Sequence, residues 1–266
     1  MVDMKAIEIH DLQIAYPQKK SQDRVLLRDF ELEVDRGEVI AVIGENGAGK
    51  SSLLRVISGL QSATAGEVLW AGRPLLQIPM AERPRHLSAL FRGFARPDGF
   101  TVRDLVRLGR HPYSGYFGRL SQQDSDAVER ALHTAGILQF AATQVATLSD
   151  GELQKALIAK MLAQDAPIMV LDEPDTHLDL PSAIELLQLL KHLAAKEGRT
   201  IVFSTHNLAL AFRLIGRILL LNGKGSWTAG TPTQVSGHHL MCDFLRTEHI
   251  RFADGNLIFE FDNNED

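Results

Sequence analysis

Between residues 5 and 35 apolar and polar side chains alternate with period two, the pattern of half-buried antiparallel strands. Ile7 and Ile9, then Leu12, Ile14 and Tyr16, mark the first strand, with a change of phase at His10–Asp11. Phe30, Leu32 and Val34 alternate against Glu31, Glu33 and Asp35 in the second, and the polar Pro17–Asp23 reads as the loop between them. The pattern then changes. Val39–Ile43 is continuously apolar, as in a strand covered on both faces within a parallel sheet. A glycine-rich turn follows. Behind it Leu53, Leu54 and Ile57 share one face of a helix that Gly59 can close in the left-handed conformation.

Further on, Glu67–Trp70 predicts a strand, Gly72–Pro74 a turn, and Arg83–Phe91 the run into another strand. Residues 92–100 are irregular. Thr101, with Asp104 three positions on, predicts a capped helix; Ser121 caps another, on which Val128, Ala131 and Leu132 share a face up to Gly136. Gly109–Gly118 reads as a loop rich in aromatic and turn residues. Strands return at Ile168–Leu171, Thr200–Ser204 and Ile218–Leu221, the first two separated by a helix with Pro181 in its first turn and Gly198 at its end. Strands alternating with helices predict an α/β fold with a parallel sheet wrapped by helices. The tail from Asn222 predicts a small α/β appendage with a hairpin turning at Asp254–Gly255.

Composition narrows the classes. The 266 residues are 45% hydrophobic and 23% charged, as in an ordinary globular protein, and the net charge of −5 argues against a broad nucleic-acid footprint. Cys242 is the only cysteine, so no internal disulfide is possible, which suits a reducing compartment. No apolar run approaches the roughly 18 to 20 residues needed to span a bilayer, and the start lacks the order of a signal peptide. Direct membrane insertion is not expected; any membrane role goes through a partner.

The candidate chemistry begins at the glycine-rich turn. Gly44-Glu-Asn46-Gly47-Ala-Gly49-Lys50-Ser51 fits G-x-x-x-x-G-K-[ST], with Ser52 behind it. Such a loop directs backbone N–H groups and a helix N-terminus at phosphate oxygens, while Lys50 reaches the outer phosphates and the Ser51 hydroxyl ligates Mg2+. Ile168–Pro174 ends a buried strand in adjacent carboxylates: Asp172 is placed to hold the Mg2+ shell, and Glu173 is a candidate to polarise the attacking water. Leu148-Ser149-Asp150-Gly151-Glu152 is a capping box and also a second helix N-terminus fit for an anion, which suggests that the two phosphate sites meet across a dimer. His206, closing the Thr200 strand, serves either as a structural imidazole or as a donor to a γ-phosphate. Tyr16 serves either as a core ring or as a surface for an adenine to stack on.

The ordered set GENGAGKSS, LSDGE, IMVLDEP, HLD at His177–Asp179 and STH at Ser204–His206 resembles the ATPase subunit of an ABC transporter over nearly the whole chain. That resemblance implies a P-loop NTPase (RecA-like) cassette with an antiparallel β lobe: core and β lobe in residues 1–94 and 164–225, an inserted helical lobe in 95–163, and the appendage in 226–266. It implies a head-to-tail homodimer holding two ATPs between one phosphate loop and the other copy's Ser149 and Gly151. Asp179 would reach across the interface, Glu173 would act as catalytic base and His206 would sense the γ-phosphate, with Tyr16 under the adenine. It further implies a cytoplasmic protein, peripheral on the inner face of the membrane and docked on two multi-span permease subunits that a substrate-binding protein feeds. Residues 101–124 and the run from Leu148 to Leu180 resemble importers for iron–siderophore, haem and cobalamin.

One position departs from that family. Where it carries a glutamine at the entry to the helical lobe, counting back from Thr101–Val102 gives Arg92, and no glutamine occurs between Gln77 and Gln122. A guanidinium only donates and stays charged, so it cannot ligate Mg2+ as an amide oxygen does. Smaller departures are Ser52 for a threonine, Glu152 for a glutamine and Asp175 for a threonine. Two other readings stand beside the importer: a cassette ATPase without membrane subunits, of the iron–sulfur cluster assembly type, and a nucleotide-gated regulator with weakened hydrolysis. Phe94, Phe100, Tyr113, Tyr116 and Phe117 suit a contact with the permease, with core packing the alternative for about half of them.

Overall fold

The computed structural model describes residues 5–17, 24–114, 120–237, 241, 250–253 and 256–259. Ile7–Tyr16 (β1) and Arg24–Val34 (β2) pair antiparallel, and β1 also pairs with Ala65–Trp70 (β4). The phase change in the alternation is a bulge: the register shifts between Ile9 and Leu12, and Asp11 takes φ 48°. Arg73–Pro74 (β5), expected as the end of a turn, instead adds a two-residue edge strand to β4, because the reversal is completed at Ala71 and Gly72.

The second sheet carries the site. Val39–Gly44 (β3), Leu87–Leu90 (β6), Ile168–Asp172 (β7), Thr200–Ser204 (β8) and Arg217–Leu221 (β9) run parallel in the order β9-β3-β8-β7-β6. Trp227–Gly230 (β10), read as part of the appendage, pairs antiparallel with β9 and extends this sheet. Ile250–Ala253 (β11) and Asn256–Phe259 (β12) form the expected hairpin; its turn residues and Cys242 lie outside the described residues.

The unbroken apolar run of β3 is explained by two separate cores. Ile40 and Val42 face one core, shared with the antiparallel sheet and with Lys50–Ile57 (α1); Ala41 and Ile43 face the other, shared with the helices of the opposite side. Burying Ile40, Val42 and Ile43 stabilises the strand by about 1.5–3 kcal/mol each, and a strand with one open face would gain only part of that. Trp70, fully buried, donates its indole N–H to the Ile57 carbonyl at 3.0 Å and so ties off the carboxyl end of α1.

Between β6 and β7 the chain is helical: Val102–Arg107 (α2), Gln122–Thr134 (α3) and Asp150–Gln164 (α4), each opened by a complete capping box at Thr101, Ser121 and Ser149. Two expectations are corrected here. Arg83–Arg85 is a 3-10 turn rather than strand, and Leu108–Tyr113 is a 3-10 helix rather than loop. In the latter, Arg110 is buried and bonds Asp124 and the Ala163 carbonyl, which pins the segment to α3 and α4. Gly109 allows this approach, since a Cβ there would fall 2.2 Å from the Lys160 carbonyl oxygen. Leu180–Glu197 (α5), Leu208–Leu214 (α6) and Pro232–Ser236 (α7) follow β7, β8 and β10.

Candidate active site

At the carboxyl end of β3 the chain turns through Gly47 (φ 79°) and Gly49 (φ 103°) into α1. These left-handed conformations carry no Cβ penalty only in glycine. At Gly44 the constraint is space: a Cβ would lie 2.6 Å from the Leu221 carbonyl oxygen on β9. The loop folds over Lys50, whose ammonium donates to the carbonyls of Gly44 (2.8 Å) and Glu45 (3.1 Å). Burial pulls the Lys50 ammonium below the ordinary lysine range; the charges of Glu173 and Asp172 oppose that, and Arg92 adds to it.

Strand β7 ends beside this loop, because it lies one strand away from β3 across β8. Ser51 Oγ donates to Asp172 Oδ1 at 3.0 Å, and Ser204 Oγ, from the end of β8, donates to the same oxygen at 2.7 Å. Ser204 Oγ also accepts from the Glu173 backbone N–H at 2.9 Å, which sets the turn that leaves Glu173 at φ 51°. The Glu173 carboxylate is buried and fully engaged. Its Oε1 lies 2.6 Å from His206 Nε2; its Oε2 accepts from Arg92 Nη1 at 2.8 Å and from Thr176 Oγ1 at 3.2 Å. Next to it Asp175 accepts from Thr205 Oγ1 at 2.5 Å, and burial pushes its carboxyl above the usual range against that hydrogen bond.

Tyr16, Asn46, Gly47, Gly49, Lys50, Ser51, Ser52, Arg92 and Glu173 thus line one cavity of 370 Å3. A larger hollow of 680 Å3 at the opposite, amino end of the parallel strands gathers no comparable set of groups. The Tyr16 hydroxyl lies 2.9 Å from Ser52 Oγ and accepts from Gln61 Nε2 at 2.9 Å, so the ring is held at the mouth of the cavity and is not core. Two oxygen groups, the Ser51 hydroxyl on the cavity wall and the Asp172 carboxylate bonded to it, lie side by side. Among the described residues no group of three or more His, Cys, Asp or Glu could hold a metal unaided. That donor set fits Mg2+, which takes one or two protein oxygens and completes its shell with phosphates and water.

Three expected residues lie elsewhere in the same chain. Ser149 is exposed at the start of α4, where its hydroxyl donates to Glu152 Oε2 at 2.8 Å. Gly151 lies beside Leu178 and Ser182, in a separate hollow. Asp179 caps α5, accepting from the Ser182 N–H at 2.9 Å, and those hydrogen bonds hold its carboxyl below the ordinary range. None of them lines the phosphate-loop cavity.

A family model described as ABC transporter matches residues 27–176, which contain the phosphate loop, the Ser149 turn and the acidic pair just described. The chain belongs to the ABC transporter family. It is similar to the petrobactin import ATP-binding protein FpuD of Bacillus anthracis, with 36% identity over 92% of this chain and 88% of that protein. It is also similar to the cobalamin import ATP-binding protein BtuD of Halobacterium salinarum (strain ATCC 29341 / DSM 671 / R1), with 38% identity over 79% of this chain and 52% of that protein. Among solved structures, an ATP-binding cassette in a dimeric post-hydrolysis state with ADP and Pi matches at TM-score 0.73 and 26% identity, covering 85% of this chain and 98% of that one. As an ABC ATPase the chain binds ATP and hydrolyses it.

Reading the cassette from sequence missed Arg24, Gln61 and Ser204. Arg24 donates to the Gly47 carbonyl at 2.9 Å and helps line the cavity. The signal was weak, since only strand pairing places Arg24 opposite Tyr16. Arg96 was missed as well: it bonds the Leu148 carbonyl and Asp150 at the start of α4. Of the aromatics expected at the surface, Phe100 is exposed. Phe94 packs on the helical core, and Tyr113 lies 3.9 Å from the Arg110 guanidinium; Tyr116 and Phe117 lie outside the described residues.

Proposed function

We propose that this cassette powers an importer of an iron chelate, haem or cobalamin, bound as a homodimer to two multi-span permease subunits on the cytoplasmic face of the membrane. A substrate-binding protein takes part only indirectly. The observation that carries the reading is that Lys50, Ser51 and Glu173 line one cavity, with Asp172 bonded to Ser51 and His206 to Glu173, while the second phosphate-binding turn, at Ser149, does not line it. One chain therefore holds one half of two sites, and two chains complete both. Relatives named for petrobactin and cobalamin import support the cargo class. No helix among the described residues is long and apolar enough to cross a membrane.

In this reading the loop N–H groups and Lys50 bind the β- and γ-phosphates, and the adenine stacks on Tyr16. Ser51 and Asp172 hold Mg2+, which supplies charge neutralisation across the phosphates when bound. Water attacks the γ-phosphorus, the bond to the bridging oxygen breaks, and Glu173 takes the water's proton. His206 orients Glu173 and donates toward the γ-phosphate. Ser149 and Gly151 of the second copy close the γ-phosphate face, and Asp179 lies at that junction.

The deciding experiment is reconstitution with a multi-span permease of the same source, in vesicles supplied with labelled ferric siderophore, haem or cobalamin. ATP-dependent uptake, abolished by Glu173→Gln, is the expected outcome. ATP hydrolysis that neither drives uptake of any of the three nor responds to the permease would overturn the importer reading.

A further inference from the structure

Arg92 leaves the sheet just beyond β6, and its side chain is 53% exposed, yet its guanidinium reaches two carboxylates that are 3–4% exposed. Nη1 lies 2.8 Å from Glu173 Oε2, and Nε lies 4.0 Å from Asp172 Oδ2. His206 and Thr176 take the remaining contacts of the Glu173 carboxylate. The catalytic base therefore has both oxygens occupied, and Arg92 is the partner rooted in the most exposed side chain. Arg92 also lines the cavity in which Lys50 and Ser51 meet the phosphates.

We propose that Arg92 is a positioning residue that distinguishes triphosphate from diphosphate. In the free site it holds Glu173; when a γ-phosphate arrives it transfers to that group and leaves Glu173 Oε2 open to water. The exchange is favourable because a terminal phosphate offers more charge than one carboxylate and matches the guanidinium fork. A diphosphate is one phosphoryl group shorter at this end, so Arg92 stays on Glu173 and the base stays covered. The inference rests on the ATPase reading but adds to it, since Lys50 and the loop do not by themselves make the base depend on the third phosphate.

The test compares wild type, Arg92→Met and Arg92→Lys, using calorimetric titration with ADP and with a non-hydrolysable ATP analogue, and steady-state ATP hydrolysis. A charge-assisted contact to the γ-phosphate predicts that Arg92→Met weakens the analogue about tenfold or more while leaving ADP within about twofold. The KM for ATP should rise while the inhibition constant of ADP does not, and Arg92→Lys should recover part of the analogue affinity. Equal effects on both nucleotides, or unchanged analogue binding, would overturn the inference alone. Wild-type protein that binds neither nucleotide would overturn it together with the ATPase reading.

Discussion

At Glu173 the backbone sits in the left-handed region, a conformation costing on the order of 1–3 kcal/mol in a non-glycine residue, and it is held there by the Ser204 hydroxyl on the Glu173 N–H. The side chain is thereby aimed at His206 and Arg92, instead of continuing the direction of β7. Tyr16 shows the same division between holding and contact. Its hydroxyl is tethered to Ser52 and Gln61, and its ring is left at the cavity mouth. If the ring face is what meets the base, Tyr16→Phe should bind ATP within about twofold of wild type. Tyr16→Ala should weaken it by about 1–3 kcal/mol, roughly fivefold to 150-fold, read by titration with the non-hydrolysable analogue. Equal losses in the two variants would place the contribution in the hydroxyl.

Among the elements, the helical insertion depends on one buried ion pair. Arg110 and Asp124 join the 3-10 segment to α3, and Asp124 also accepts from Ser121 at the start of its own helix. Hydrogen bonds from the Ser121 hydroxyl and backbone, with the Arg110 guanidinium behind them, hold the Asp124 carboxyl below the ordinary carboxylate range. With its folded pKa depressed, Asp124 stabilises the fold above its ordinary value of 3.8, and the contribution fades as pH falls through the lowered folded value. Asp124→Asn leaves the guanidinium buried without a counter-charge and should cost about 3 kcal/mol near neutral pH in denaturant unfolding. The gap from wild type should narrow in acid, below 3.8, and a gap independent of pH would show that the pair contributes by packing alone.

The described residues build two large sheets and a hairpin, and the Ser149 turn does not line the phosphate-loop cavity. A second copy is the simplest source of the missing face. Glu173→Gln keeps the side chain's shape while removing its ability to accept the water's proton. The variant should therefore lose turnover by about a hundredfold or more, yet double its mass in size-exclusion light scattering when ATP is present. Adding Ser149→Arg should abolish the doubling without unfolding the chain, since Ser149 is exposed and an arginine there meets solvent in the monomer. A Glu173→Gln protein that stays monomeric with ATP would remove the support for a shared site.

What was legible in the sequence was whatever is decided over a few residues. The glycine loop and the capping boxes at Thr101, Ser121 and Ser149 are made by groups within about one turn of each other, and burial writes its period directly into the strands. The bulge at Asp11 was visible as a break in that period. The 3-10 course of Leu108–Tyr113 was not, because it depends on Arg110 reaching Asp124 and Ala163, 14 and 53 residues away. Nor was the place of β10, since alternation shows that a strand has a buried face and not which neighbour supplies its hydrogen bonds. The sequence by itself determined the glycine loop, the buried strand that feeds it and the capped helices. Only the tertiary structure decided that Ser51 meets Asp172 across 121 residues, that Arg24 clasps the loop, and that the arginine in place of a glutamine closes on Glu173. The Ser51 and Arg92 contacts follow from strand order, which places the ends of β3, β8, β7 and β6 side by side, and the Arg24 contact from the packing of the antiparallel sheet on the loop.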